Sequence, residues 1–359
     1  MRALRADESN RHRRLATATL IGYIPPAESK PPMRFFKKRP PRMFIPAKQS
    51  VGGPATFLRN LTTYLDAAGY PYASQYRRGD SIFFPIRHKT AVLDKVKKHG
   101  GQVVQRLDGV YGDDEPARRD RLARVYHDYA DWVVYQSAWC KRVCDYQMGV
   151  RDSAQYRIIP NGVDGEVFYP GDNEYTGNQP VEFVVSGRFK RTDMLDIALA
   201  ALDELQDKGI DLRLHIIAQY EHQTAPAYTG KSYAVVHGAQ SMRGVAKLLR
   251  QSHIYIFSDA NPPCPNAVLE AAASGLPVVS FDSGSLAELL PFGTPLLATA
   301  SGGLIKPNEN FHADALAEKL LLAVTNYPQF RATALAHAND FPFTVCGDAY
   351  REVFDLATG

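Results

Sequence analysis

The stretch NPPCPNAVLEAAASGLPVVSFDSG, from Asn261 to Gly284, decides the fold. It starts with a proline-rich loop, continues with the small and apolar residues of a helix, passes Gly275 and ends in a short apolar segment. Pro265 suits the first turn of a helix, where a missing N–H costs nothing, and glycine is common just past a helix end. The pattern predicts a helix from Pro265 to Ser274, followed by a buried strand.

The same alternation of apolar strands and helices extends in both directions along the chain. Upstream, Met43–Ile45 reads as a strand, and the segments SIFFPI, GQVVQRL and DWVVYQS follow it. Closer to the quoted stretch lie VEFVVSGRF, LRLHIIAQY and HIYIFSD. Strands that alternate with helices predict parallel sheets, which take up ligands at the carboxyl ends of their strands. We therefore predict an α/β fold with two Rossmann-like, doubly wound domains that face a central cleft.

Shifts in composition suggest the domain boundaries. Residues 1–39 are rich in Arg, Pro and Lys without periodicity and indicate a flexible basic extension. We expect one Rossmann-like domain over residues 40–170 and a second over 171–340, with a linker rich in Gly, Asn and Pro at their junction. Residues 341–359 predict a final helix that packs back on the first domain.

Composition restricts the class of protein. The 359 residues are 45% hydrophobic and 22% charged, which suits a globular chain with two cores. The net charge of +4 is too small for a typical nucleic-acid binder. Four cysteines are too few for a disulfide framework and indicate a reducing compartment. We expect a cytoplasmic protein, and the basic cluster Lys37–Arg42 is either a solvated tail or a weak contact with anionic lipid at the inner membrane face.

Five motifs occur in an order that resembles a known family. They are VGGPATFLRNL, YQSAWCKRV, YRIIPNGVDGEVFYP, VVSGRF and PNAVLEAAASGLPVVSFDSGSLAELL, within residues 43–357. This series is similar to the retaining glycosyltransferases of group 1, family 4, which have the GT-B fold. The resemblance implies that the first domain receives a hydroxyl acceptor and that the second holds a nucleoside-diphosphate sugar. It implies no bound metal and no cofactor besides this donor.

The resemblance gives two charged residues specific roles in the second domain. Arg188 would clamp the diphosphate of the donor, because a guanidinium is always charged and binds two oxygens at once. Glu270 would accept hydrogen bonds from the two ribose hydroxyls of the nucleotide. The alternatives are a plain surface arginine and a solvated carboxylate in the first turns of a helix.

The other predicted donor-binding residues lie on turns and loops at the expected cleft. Gly52 and Gly53 allow close backbone approach before a helix N-terminus that can face a phosphate. The alternative is a plain tight turn. They do not form the G-x-G-x-x-G signature of dinucleotide binding. The remaining predicted residues are Asn161, Gly187, Asn266, Ala267, Ser283 and Gly284.

The predicted catalytic residues are Arg188, Lys190 and Asp108. The family usually has a lysine where this chain has Asp193, so Lys190 or Arg191 supplies the missing positive charge in this interpretation. Asp108 ends a strand of the first domain, where it meets the acceptor hydroxyl or the sugar, or simply forms a turn with the following glycine. The acidic run Asp113–Glu115 is interpreted as solvated charge and not as a metal site.

The sequence thus predicts a hexosyltransferase that moves a sugar to a glycan or lipid-linked hydroxyl with retention of configuration. Two alternatives remain open. One is a sugar-nucleotide epimerase or hydrolase on the same fold. The other is a non-catalytic subunit that binds a nucleotide sugar, which is suggested by Asp193 and by Pro262, where the family often has a second acidic residue.

Overall fold

The structure, a computed structural model, describes residues 41–46, 53–108, 116–151, 155–187, 193–218, 230–300, 304 and 311–359. Several expectations from the sequence lie outside these residues. They are the extension at 1–39, Gly52, the acidic run 113–115, Arg188, Lys190 and Arg191.

The first lobe is a parallel sheet with its helices. Its described strands are β1 (Met43–Phe44), β2 (Tyr72–Ala73), β3 (Ser81–Pro85), β4 (Val103–Leu107), β5 (Trp132–Tyr135) and β6 (Tyr156–Ile158). They lie in the order β2-β1-β3-β4-β5-β6, and every neighbouring pair is parallel. The helices are α1 (Gly53–Ala67), α2 (Thr90–Lys98), α3 (Pro116–Asp128) and α4 (Ala138–Met148).

The second lobe repeats this arrangement. Its described strands are β7 (Val181–Gly187), β8 (Leu212–Ala218), β9 (Ala234–Val236), β10 (Ile254–Phe257), β11 (Val278–Phe281) and β12 (Leu297–Ala298). Their order is β12-β11-β10-β7-β8-β9, again all parallel. The helices are α5 (Asp193–Asp207), α6 (Met242–Gln251), α7 (Asn266–Ala273), α8 (Leu286–Leu289), α9 (Ala313–Thr325) and α10 (Tyr327–Ala336), with a 3-10 turn at Thr294–Leu296.

Burial explains why these short segments become strands. Every residue of β4, β5, β10 and β11 is buried. Parallel strands are covered by helices on both faces, so they consist of continuous apolar runs and do not alternate between polar and apolar residues. The helices add local signals. The Ser137 side chain, for example, caps α4 by accepting a hydrogen bond from the Cys140 backbone N–H at 3.0 Å.

The last helix, α11 (Phe343–Thr358), packs on the first lobe. Its Tyr350 and Phe354 rings lie 5.4 and 5.1 Å from the ring of Phe83. The chain reaches this position through a short parallel bridge at Val163 and Pro342. In the order of the chain, the second lobe therefore lies between the first-lobe elements and α11, which packs on the first lobe.

The prediction of an α/β fold with two doubly wound parallel sheets is confirmed. The predicted helix Pro265–Ser274 is α7, one residue shorter at each end. Helix α10 has no counterpart among the predictions because one of its buried residues is an arginine, Arg331, which breaks the apolar periodicity. Within the described ranges, no helix is both long and apolar enough to cross a lipid bilayer.

The close contact of Gly162 with α11 generates a stability prediction. A Cβ atom at Gly162 would lie 2.5 Å from the Phe343 Cα atom, whereas one at Gly165 would meet nothing within 4 Å. We expect Gly162→Ala to lower the free energy of unfolding by about 1–3 kcal/mol, because backbone must move to admit the methyl group. Urea unfolding measures this, with Gly165→Ala as the matched control. Equal stability of the two variants would contradict the packing described here.

Candidate functional site

The carboxyl ends of the two sheets meet at one side chain, that of Asn161. Asn161 follows β6 and is buried. Its amide nitrogen donates to the carbonyl oxygen of Cys264 at 3.0 Å and to the side-chain oxygen of Asn266 at 2.8 Å. Asn266 is the first residue of α7. The site therefore has a defined floor, where the first lobe contacts the N-terminus of a second-lobe helix.

A second contact between the lobes lies at the N-terminus of α4. The Ser137 hydroxyl donates to the carbonyl oxygen of Pro263 at 2.7 Å. The carboxylate of Glu288, on α8, accepts from the backbone N–H of Ala138 at 2.8 Å and from Arg142 at 3.2 Å. A carboxylate is favourable at a helix N-terminus because of the partial positive charge there. These contacts add a charged pair to the junction.

The loop from Asn261 to Pro265, here called the proline loop, is held by the residues that follow β11. The Asn261 backbone N–H donates to the Ser283 hydroxyl at 2.8 Å, and the backbone N–H of Ser285 donates to the Pro262 carbonyl at 2.9 Å. Gly284 has φ = 64°, and a Cβ atom there would lie 2.4 Å from the Pro262 carbonyl oxygen. Only glycine fits this position, so the two loops form one surface.

Helix α7 is anchored at its C-terminus and lacks a side-chain cap at its N-terminus. The buried guanidinium of Arg331 donates to the carbonyls of Ser274 and Gly275, where a cation is favourable. At the other end, Pro265 occupies the N-cap position and makes no side-chain hydrogen bond to the helix. The first backbone N–H groups of α7 are thus available to an anion.

Glu270 lies one turn into α7 and is half-buried. Burial raises the pKa of its carboxyl group to about 7. Tyr255 lies close enough for the negative charge of Glu270 to add to the rise in the Tyr255 pKa that burial causes. The Tyr255 hydroxyl is 3.0 Å from the Ser186 side-chain oxygen, next to Gly187 at the end of β7. Glu270 and the carboxyl end of β7 therefore share one region of the site.

The other donor-binding residues predicted from the sequence occupy the following positions. Gly53 begins α1, and a Cβ atom there would meet nothing within 4 Å. Ala267 is half-buried in the first turn of α7, and Ser283 is buried. Asp193 begins α5. The roles assigned to these residues remain predictions.

Asp108 lies at the carboxyl end of β4 in a set of charged and polar groups that the sequence analysis missed. Its carboxylate accepts from the guanidinium of Arg106 at 2.6 Å and from the Gln136 side-chain nitrogen at 2.5 Å. Arg106 is only 2% exposed. Burial alone would lower the Arg106 pKa, but neighbouring groups, above all Asp108, raise it. One signal was visible in the sequence, namely a cation inside the apolar strand VVQRL.

Comparison with solved structures identifies the fold as GT-B. The chain is similar to sucrose-phosphate synthase from Thermosynechococcus elongatus, with a TM-score of 0.63 and 16% identity, over 89% of this chain and 100% of that one. It is also similar to HepE of Anabaena in complex with UDP and glucose, with a TM-score of 0.65 and 13% identity, over 88% of this chain and 100% of that one.

Sequence comparison finds a known family model that matches most of the second lobe. Residues 180–326 match the family model "Glycosyl transferases group 1". A probable sucrose-phosphate synthase from Thermosipho melanesiensis is 24% identical over 45% of this chain. One subunit of the human phosphatidylinositol N-acetylglucosaminyltransferase is 27% identical over 40% of it. The matches span 39% and 30% of the lengths of these two curated relatives.

The raised pKa of Glu270 predicts how stability depends on pH. A carboxyl group with an ordinary pKa of 4.5 and a folded-state pKa of about 7 binds its proton more tightly in the folded protein. Its contribution to stability is thus present in acid and is lost as the pH rises towards and through 7. We expect Glu270→Gln to gain stability relative to the wild type between pH 5 and pH 8.

Urea unfolding across this pH range measures the difference. The exposed Glu318, on α9, provides the control variant Glu318→Gln. A stability difference between Glu270→Gln and the wild type that is constant with pH would contradict the buried environment described for Glu270.

Proposed function

We propose that the protein is a glycosyltransferase that moves a sugar from a nucleoside diphosphate to a hydroxyl acceptor with retention of configuration. The observation that carries this proposal is the position of Glu270, one turn from the uncapped N-terminus of α7 and beside the carboxyl end of β7. At this position, a carboxylate that can accept hydrogen bonds from hydroxyl groups lies next to backbone N–H groups that can donate to an anion. A nucleoside diphosphate presents two ribose hydroxyls next to phosphate oxygens, which is the complementary pattern.

In the donor site that we propose, each protein group binds one part of the nucleotide sugar. The backbone N–H groups of Asn266 and Ala267 donate to phosphate oxygens, since a helix N-terminus favours anions. The Glu270 carboxylate accepts from the 2′ and 3′ hydroxyls of the ribose. Arg188 and Lys190 stabilise the negative charge that develops on the departing diphosphate.

The backbone of Gly53, Gly187 and Gly284 allows close approach of the donor in this proposal, and the Ser283 hydroxyl lies on the same surface. Gly284 also has a structural reason to be glycine, because its contact with the proline loop excludes any side chain. The Asn161 amide already bonds to protein groups of both lobes. In this proposal, Asn161 therefore acts on donor binding indirectly, because it holds the N-terminus of α7 in position.

The transfer that we propose needs no protein nucleophile. The bond between the anomeric carbon and the diphosphate oxygen breaks, and the acceptor oxygen bonds to the same face of that carbon. The proton of the acceptor hydroxyl passes to the leaving diphosphate oxygen. Asp108, at the carboxyl end of β4, orients the acceptor hydroxyl or the sugar, and hexose donors are the proposed class.

The proposed acceptor is a glycan or a lipid-linked hydroxyl. We place the protein in the cytoplasm, with a weak contact between the basic cluster Lys37–Arg42 and the inner face of the membrane. The four cysteines, which are buried and free, support a reducing compartment. No metal and no cofactor other than the donor enters the proposed reaction.

A screen of donors tests this function. The purified protein is supplied with UDP-, GDP- and ADP-hexoses and with glycan or lipid-linked hydroxyl acceptors, and nucleotide release and sugar transfer are measured together. Transfer with retained configuration supports the proposal. Free sugar or an epimer without an acceptor would favour an epimerase or hydrolase instead. Nucleotide binding without any turnover would favour a non-catalytic subunit, which Asp193 and Pro262 suggest.

Glu270 also predicts a proton signature of nucleotide binding. Hydroxyl donors favour the ionised carboxylate, so binding lowers the Glu270 pKa and releases about half a proton at pH 7. Titration calorimetry with UDP in two buffers of different ionisation enthalpy measures this release. We expect Glu270→Gln to release none and to bind roughly 10- to 100-fold more weakly, since two charge-assisted hydrogen bonds are lost.

Glu318→Gln should bind and release protons as the wild type does. If Glu270→Gln binds UDP with unchanged affinity, the ribose contact is wrong, although transfer from another nucleotide would keep the wider proposal intact.

A further inference from the structure

Arg106 is a buried cation whose geometry determines the orientation of its neighbours. It lies in β4 with 2% of its surface exposed. Its guanidinium donates through Nη1 to Asp108 at 2.6 Å and through Nη2 to the Asn161 side-chain oxygen at 2.8 Å. The guanidinium carbon lies 3.9 Å from the centre of the Phe57 ring. The aromatic ring of Phe57 fixes the plane of the guanidinium, and this plane sets the directions of both hydrogen bonds.

The direction of the Asn161 amide follows from this contact. A guanidinium carries only donors, so the amide must present its oxygen to Arg106. Its nitrogen then faces the other way, where it donates to the carbonyl of Cys264 and to the side chain of Asn266. Arg106 is therefore the reason that the donor side of Asn161 points at the N-terminus of α7.

Gln136, which follows β5, closes a ring of four side chains. Its nitrogen donates to Asp108 at 2.5 Å, and its oxygen accepts from Asn161 at 3.1 Å. Asp108 also accepts from Arg106, which in turn bonds to Asn161. Each amide in the ring has one orientation in which its oxygen faces a donor and its nitrogen faces acceptors, and the guanidinium sets that orientation.

Loss of this ring is costly because its members are buried. Gln136 is 3% exposed and Asn161 is 8% exposed. A buried polar group without a partner costs the full free energy of its desolvation, and several such groups are not repaired by water from outside. Disruption of the ring would therefore leave buried polar groups of Gln136 and Asn161 without partners.

We propose that Arg106 is a positioning residue, which orients Asp108 on the acceptor side and, through Asn161, holds the N-terminus of α7 at a set distance from it. The effect on transfer rests on the proposed function. The effect on the arrangement of the lobes does not, because it follows from the hydrogen bonds alone.

Distance measurements between the lobes test the structural part. Spin labels are attached to Tyr146→Cys on α4 and Met242→Cys on α6, which are 73% and 44% exposed. All four native cysteines are buried and so do not compete for the label. Pulsed electron spin resonance then reports the distribution of distances between the lobes with and without substitutions in the ring.

We expect Arg106→Lys to broaden this distribution, because an ammonium keeps the charge but cannot bind Asp108 and Asn161 in one plane. Asn161→Ser should broaden it as well, and it leaves no buried charge unpaired if the lysine variant folds poorly. The control is Arg124→Lys, in an ion pair with Asp128 on α3, in the same lobe. A distribution in Arg106→Lys as narrow as in the control would overturn the proposal.

Kinetics test the catalytic part. We expect Arg106→Lys to lower kcat about 100-fold, the scale of a misplacement near 1 Å, with a smaller change in the KM for the donor, most of whose proposed contacts lie on the second lobe. An equal loss of kcat in Arg124→Lys would contradict a specific role. If the wild type transfers no sugar at all, the proposed function fails, and the distance measurement alone decides the positioning proposal.

Discussion

The hydrogen bonds of the Asn161 side chain join the two halves of the molecule, and the geometry of the site depends on them. One amide group accepts from Arg106 in the first lobe and donates to Cys264 and Asn266 in the second. An amide can satisfy donors and acceptors at once only in a single orientation, so this contact fixes direction as well as distance. The bridge that leads into α11 and the contacts of Glu288 support the same junction from either side.

The parallel sheets explain why functional groups collect at this junction. All strands of a parallel sheet point the same way, so the residues that follow them lie at one edge. Asp108 and Gln136 follow strands of the first lobe, and Gly187 ends a strand of the second. The proline loop, tied to Gly284, adds a wall that hydrogen bonds hold in place. Such an edge brings polar groups of both lobes close to the junction.

Glu270 illustrates how burial changes the protonation of a carboxyl group. Its carboxylate lies half-buried beside Tyr255, and burial raises its pKa to about 7. A carboxylate in such a place is costly until hydroxyl groups replace the lost water. In the donor site proposed above, the ribose hydroxyls would offset this cost, which would favour a ligand with adjacent hydroxyls over one without them.

Much of the fold follows from patterns that are local in the sequence. Apolar runs such as VVQRL and WVVY predict buried strands, and the proline and glycine around α7 place its ends within one residue. Helix α10 and the two-residue strands β2 and β12 carry weak signals, because a buried arginine or a short pairing leaves little periodicity. The alternation of strands and helices was sufficient to predict two parallel sheets.

Less of the candidate site than of the fold could be predicted from the sequence. The chain by itself determined the residue types at the strand ends and the position of Glu270 on its helix, since both depend on neighbours a few residues away. Only the tertiary structure decided that Arg106, Gln136 and Asn161 form one ring with Asp108. Their partners lie up to 55 positions apart in the chain. No local pattern encodes such a contact, because its direction arises from how two sheets and the chain between them pack together.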